Sequence, residues 1–235
     1  LIFISTVITH LFGGSAGREG AALQIGGSIG GALGRLFRFN EKDKHIMIMC
    51  GMSAAFTALF GTPMAAAVFS MEVVSVGIMY YAALVPCVIS SIIASEFAAN
   101  FGIHPESFHV VDIPDLTVET GLKMVLVAVA CAAISIIFCM TLQGISKLYT
   151  KYFKNPYIRI AAASAIIIAI TLLLRTTDYM GAGNNLIELA IEEGQTRPLD
   201  FFWKILLTAL TMRAGFRGGE IVPSFCIGAT FGCLM

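Results

Sequence analysis

Two glutamates stand where an apolar protein should not hold them. Glu19 lies in residues 13–34, GGSAGREGAALQIGGSIGGALG, and Glu220 in residues 215–235, GFRGGEIVPSFCIGATFGCLM, each set among glycines with an arginine nearby. A carboxylate within a bilayer costs about 2.5 to 3.5 kcal/mol on insertion scales, so neither is natural filler. From Gly20 to Gly34 there is no charged residue. The stretch therefore reads as a flexible glycine-rich approach followed by a helix whose N-terminus lies near Gly20. Such an end carries unpaired N–H donors and about half a positive charge, which makes it an anion site. At about 1.5 Å per residue a helix this short does not cross roughly 30 Å of hydrocarbon, so its N-terminus is expected near the midplane. The expectation is an ion path in which Glu19 competes with the anion.

Composition supplies the setting for those residues. Hydrophobic residues make up 57% and charged residues 13%, against roughly 25% charged in a soluble domain, and mean hydropathy is +0.84. This is an integral, multi-pass membrane protein. Fifteen basic and fifteen acidic residues balance, which predicts no nucleic-acid partner. Uncharged runs at 46–71, 73–95 and 124–142 are each long enough to span or nearly span. No signal peptide is expected, and the chain reads as a fragment cut at both ends. All six cysteines lie in apolar segments without a CxxC pair, so they read as small buried hydrophobes, with no metal and no cofactor expected.

In chain order, 1–11 is an apolar helix running into the Gly13 turn, and the helix after Gly20 ends in a basic loop at 35–44. Helices follow over 46–60 and 64–74, separated by the Gly61-Thr62-Pro63 break, and then over 77–101 with a bend at Pro86. Residues 104–119 carry acids and no Lys or Arg, so they form a water-facing loop. A long spanning helix over 121–148, a second basic loop at 147–159, a helix over 160–174, an interfacial helix and loop over 181–197 and a helix over 201–212 complete the chain. The positive-inside rule puts the basic loops inside, and 104–119 and 178–197 outside.

The chain also repeats itself. A shift of 202 residues pairs Thr6 with Thr208, Thr9 with Thr211, Gly13 with Gly215, Gly17 with Gly219, Ile25 with Ile227, Gly26 with Gly228 and Gly30 with Gly232. Transporters built of two repeats place broken-helix N-termini from both halves around one midplane site, and that is the architecture expected here.

These residues resemble a known family. GSAGREGAALQIGG is similar to the GREGP and QIG signature of the CLC chloride channel and transporter family, and GGEIVPSF resembles its GGxFxP element. The likeness continues through AAFTALFGTPMAAAVFSMEV and covers nearly the whole chain. It implies an all-α polytopic membrane protein with inverted-topology repeats and broken, partially spanning helices. It further implies a homodimer of two separate pores in which Glu19 is the gating carboxylate, swinging out of the anion path when protonated. In these terms 1–103 closes the first repeat, 104–120 is an extracellular loop and 121–235 opens the second repeat.

Three departures refine the resemblance. Ala21 replaces the family's proline, Val73 stands where exchangers carry a second acid, and Ile221 after Glu220 replaces the phenylalanine of GGxFxP. THLFGGSAGREG, Val73 and GGE together are similar to the bacterial fluoride-exporting branch, which exchanges fluoride for protons across the inner membrane. Val222 departs from that branch's threonine. Fluoride is strongly hydrated, so its capture demands close N–H donors, and Gly17, Gly20, Gly218 and Gly219 allow close backbone approach. The expected anion ligands are Gly17, Arg18, Gly20 and Ala21 at one N-terminus and Gly218, Gly219, Ile221 and Val222 at the other, with Glu19 and Glu220 coupling protons. Anion binding would favour protonation of Glu19, which links the two movements.

Plain alternatives stand beside these readings. Glu19 could pair with Arg18 or cap its helix, Glu220 could cap or pair with Arg217, and Glu72 and His10 read as hydrogen-bonded structural groups. Within the family, a chloride channel or chloride/proton exchanger is the rival. An enzyme using Glu19 and His10 as acid and base lacks a nucleophile, metal set or cofactor motif, so the protein is read as no enzyme.

Overall fold

The computed structural model describes residues 1–74, 77, 79–105, 107, 108, 110, 115 and 117–235. The described residues form ten α-helices and one 3-10 turn, with a single isolated β-bridge. Part of the acid-only segment expected as a loop, including Glu106 and Asp112, lies outside the described residues, and its end, Val118 and Glu119, is already helical. The chain divides into two compact units, one of Leu1–Phe3 with Glu19–Ser107 and one of Ile4–Arg18 with Phe108–Met235. Residues 4–18 thus belong with the second unit.

In the first unit, α2 (Glu19–Leu36) lies along α3 (Glu41–Phe60). Glycine makes this possible: a Cβ on Gly26 would stand 2.2 Å from Gly51 O, and one on Gly51 2.1 Å from Gly26 O. α2 is 18 residues long, two past the expected end at Gly34. The basic loop expected over 35–44 is mostly helix, because Asn40 caps α3 by accepting from Asp43 N–H at 2.9 Å, which starts that helix at Glu41. α3 stops at Gly61, whose φ of +65° no β-branched residue would hold, and Pro63 opens α4 (Pro63–Val74). α5 (Leu84–Asn100) follows the 3-10 turn Tyr81–Ala83. Pro86 does not bend a helix; it sits in the first turn of α5, where its missing N–H costs nothing. Met49, Ala67, Met71, Ala83 and Cys87 form this unit's core.

In the second unit α9 (Asp200–Ala214) packs against α6 (Val118–Tyr152), α7 (Pro156–Leu174) and α10 (Ile221–Cys233), and α8 (Asn184–Glu192) packs against α10. Phe138, Leu142, Ile205, Ala209 and Ile227 are its core. α1 (Ile2–Leu11) leads into the Gly13 turn as expected. At 35 residues α6 is roughly 52 Å long, well beyond the ~30 Å of hydrocarbon. It carries Lys147 and Lys151 as helical residues, so the second basic loop shrinks to the few residues before Pro156. Asn155 caps α7 through Tyr157 N–H at 2.9 Å, with Pro156 at the first helical position. Among the described residues three helical stretches are long and apolar enough to cross a membrane: Tyr81–Asn100 (the 3-10 turn with α5), Val118–Tyr152 and Pro156–Leu174. The outward apolar side chains of α6 and α7, such as Val129, Ile136, Leu172 and Leu173, are exposed as lipid-facing residues are.

Candidate functional site

Glu19 is the first residue of α2 and is only 2% exposed. A carboxylate there faces the positive end of its own helix. The segment leading to it is tightly held within the second unit. Gly13 takes φ +74°, and a Cβ on it would meet Met180 Sδ at 2.9 Å. Gly14 O accepts from Gly181 N–H at 3.0 Å, Ser15 N–H donates to Thr211 Oγ1 at 3.1 Å, and Ser15 Oγ lies 3.0 Å from Thr208 Oγ1. Gly14 and Ser15 in the approach to Glu19 are thus tied to α9 and to the loop that precedes α8.

Gly17 and Gly219 form the antiparallel bridge, exchanging N–H···O bonds of 2.8 and 2.6 Å. The same 202-residue offset relates the left-handed glycines Gly13 and Gly215 and the helix starts at Glu19 and Ile221. Two segments that bond to each other reciprocally at equivalent residues are related by a local two-fold, so the repeat is inverted. Gly218 serves this contact, since a Cβ on it would stand 2.5 Å from Ala16 Cβ.

The bridge also redistributes the donors. The N–H groups of Gly17 and Gly219 point at each other's carbonyls. Among the expected anion ligands, Gly20 and Ala21 on α2 and Ile221 and Val222 on α10 lie in first helical turns, whose N–H groups have no intrahelical acceptor. Pro223, next in α10, contributes no N–H.

Glu220 is half-buried at the N-cap position of α10 and makes no side-chain capping bond. Its ion partner is Arg213 in the last turn of α9, at 3.7 Å, and not Arg217. Both side chains are about two-fifths exposed, so the pair is weak. Glu72 accepts from Gly77 N–H at 3.4 Å, and Val73 is exposed. His10 is hydrogen-bonded within its own helix, Nδ1–H donating to Thr6 O at 2.9 Å. Cys139 is exposed, which departs from the expectation that all six cysteines are buried. Among the described residues no cluster of His, Cys, Asp or Glu could hold a metal ion.

One set of polar residues was not read as a unit from the sequence, although Thr208 and Thr211 entered the repeat. Asp200, Lys204, Thr208 and Thr211 line one face of α9 and are all buried, Lys204 completely. Asp200 accepts from Tyr179 O–H at 2.6 Å, and Lys204 Nζ donates to Tyr179 O at 3.2 Å and Gly181 O at 2.8 Å. Thr208 and Thr211 hold Ser15, so a single helix face grips both the loop before α8 and the approach to Glu19. Their spacing of four, four and three residues in DFFWKILLTALTMRA is the signal that could have revealed them. Beyond this ladder is a cavity of about 250 Å³ lined by His10, Arg18, Asp178, Met180, Asn184 and Asn185 among others. Asp178 is paired with Arg197 at 3.2 Å.

The family model described as voltage gated chloride channel matches residues 1–235. The chloride/fluoride channel protein of Pseudomonas syringae pv. tomato is 30% identical over 238 residues, covering 99% of this chain and 52% of the relative. The H(+)/Cl(-) exchange transporter ClcA of Vibrio cholerae is 26% identical over 225 residues, covering 92% and 48%. The chain thus spans about half the length of the curated relatives it matches. The crystal structure of a CLC-type fluoride/proton antiporter superposes with a TM-score of 0.90 at 35% identity, over 96% of this chain and 57% of that one. That of a slow cyanobacterial Cl-/H+ antiporter reaches 0.74 at 20% identity, over 92% and 52%, which shows the fold alone. By its motifs, its inverted repeat and a family match along its whole length, the chain belongs to the voltage gated chloride channel (CLC) family.

Proposed function

We propose that the protein exports fluoride in exchange for protons, with Glu19 as the gating carboxylate. The observation that carries this reading is a buried acid at the first residue of α2, where helix N–H donors favour negative charge. An anion and an ionised Glu19 compete for one positive helix end. Anion occupancy therefore favours protonation of Glu19, and release of the anion favours its ionisation. On this reading Gly20 and Ala21 supply backbone donors for the anion at one helix N-terminus and Ile221 and Val222 at the other, with Arg18 and Gly218 in the approaches to them, and Gly17 and Gly219 hold the two approaches together. Glu220 exchanges protons with water from its weak pair with Arg213. The exposed Val73 provides no second carboxylate, which sets this chain apart from exchangers that carry one there.

The likeness to a fluoride/proton antiporter at 35% identity supports fluoride over chloride, against 26% for the chloride exchanger of V. cholerae. On this reading the protein works as a homodimer in a bacterial inner membrane, with 1–103 ending one repeat, 104–120 outside the cell and 121–235 beginning the next. The test is anion efflux from liposomes holding the complete protein, loaded with fluoride or chloride, with external pH recorded for the parent and Glu19→Gln. Fluoride efflux far above chloride, with proton movement that vanishes in Glu19→Gln, is the expected result. Equal passage of chloride would sink the fluoride reading, and efflux without proton movement would leave a channel.

A further inference from the structure

Cys50 on α3 and Cys87 on α5 lie with their Sγ atoms 4.0 Å apart. Cross-links on either side hold that register: Ser90 Oγ donates to Cys50 O at 3.2 Å, and Ser53 Oγ donates to Cys87 O at 3.2 Å. The two thiols differ in access. Cys87 is fully buried, whereas Cys50 is half-buried and lines a groove of about 420 Å³ with Gly26, Gly30, Gly51, Ala55 and Ser90. A disulfide needs sulfurs about 2.05 Å apart. Closing the gap requires a sulfur shift of about 2 Å, the scale of a side-chain rotation.

We propose that Cys50 and Cys87 are a redox-active pair, oxidised by a peroxide entering the groove to a disulfide that joins α3 to α5. The Cys50 thiolate attacks one peroxide oxygen, the O–O bond breaks, and the departing oxygen takes up a proton to leave as water. Cys50 is now a sulfenic acid. The Cys87 sulfur then attacks the Cys50 sulfur, the S–O bond breaks, and the leaving hydroxide takes the Cys87 proton as a second water. Two thiols and one hydrogen peroxide give one disulfide and two waters, and the two electrons lost by sulfur are gained by the peroxide oxygens. Cys50 is the attacking residue because it faces the groove, and Cys87 resolves because it lies behind. The site is independent of which anion the protein carries.

The sequence makes the test specific. No Lys or Arg occurs between Lys44 and Lys123, and Cys50 and Cys87 are the only cysteines in that interval, so trypsin leaves both on one peptide. The complete protein in liposomes is treated with hydrogen peroxide, its remaining thiols are capped with N-ethylmaleimide, and peptide 45–123 is weighed. The expected peptide has lost two hydrogens and shows about tenfold less maleimide than the untreated sample, with labelling restored by dithiothreitol. In Cys87→Ser the two-hydrogen loss disappears. A peptide that still takes two maleimides at a peroxide dose that consumes the exposed Cys139, or one that loses two hydrogens only after denaturation, would overturn the proposal.

Discussion

Gly17 and Gly219 bond to each other in both directions, at 2.8 and 2.6 Å, and they are also counterparts across the 202-residue offset of the repeat. A repeat-related residue that binds its own counterpart sits beside the local two-fold. The two approach segments are therefore fixed to each other at this point.

Gly218→Ala tests this bridge. The added Cβ would meet Ala16 Cβ at 2.5 Å, and neither backbone segment has a flexible side chain to yield. Overpacking of this kind costs about 1 to 3 kcal/mol. The expected outcome is a lower melting temperature in detergent together with slower anion efflux; an unchanged melting temperature would show that the segments separate freely.

Gly51→Ala acts on the seat of α2. Its Cβ would stand 2.1 Å from Gly26 O, a backbone atom, so α2 and α3 must part along several residues. Loss of folded protein on size-exclusion chromatography is expected, with Gly144→Ala, which has open space, as the tolerated control.

Lys204→Met keeps the length of the side chain and removes its donors to Tyr179 O and Gly181 O. Leaving buried carbonyls without their partner costs about 1 to 3 kcal/mol. Lys204→Arg is not expected to restore stability, because Lys204 Nζ already stands 2.9 Å from where a Cβ on Gly183 would be, which leaves no room for a guanidinium. Thermal melting of the three proteins decides it.

Tyr179 should titrate well above the ordinary tyrosine range of about 10. Burial raises it most, and the hydrogen bond to Asp200 and that carboxylate's charge raise it further. A raised folded-state value favours the neutral phenol. Its contribution to stability is therefore complete below about pH 10 and is lost as pH climbs through the folded-state value. The parent's melting temperature should fall with pH in that alkaline window more steeply than that of Tyr179→Phe; parallel curves would remove Tyr179 from the account.

The membrane class, the break at Gly61-Thr62-Pro63, the start of α2 beside Glu19 and the repeat were all legible in the sequence. Each depends on composition, on the local chemistry of glycine and proline, or on an offset that can be counted. The caps at Asn40 and Asn155 were local too, and overlooking them made both basic loops too long. What the sequence could not determine was pairing at a distance: Glu220 with Arg213 and not Arg217, Ser15 with Thr208 and Thr211, Cys50 with Cys87, and Gly17 with Gly219. That last bridge decided which glycine N–H groups are spent on the fold. Such partners lie up to about two hundred residues apart, and only the packing of helices selects which polar groups meet once water is excluded.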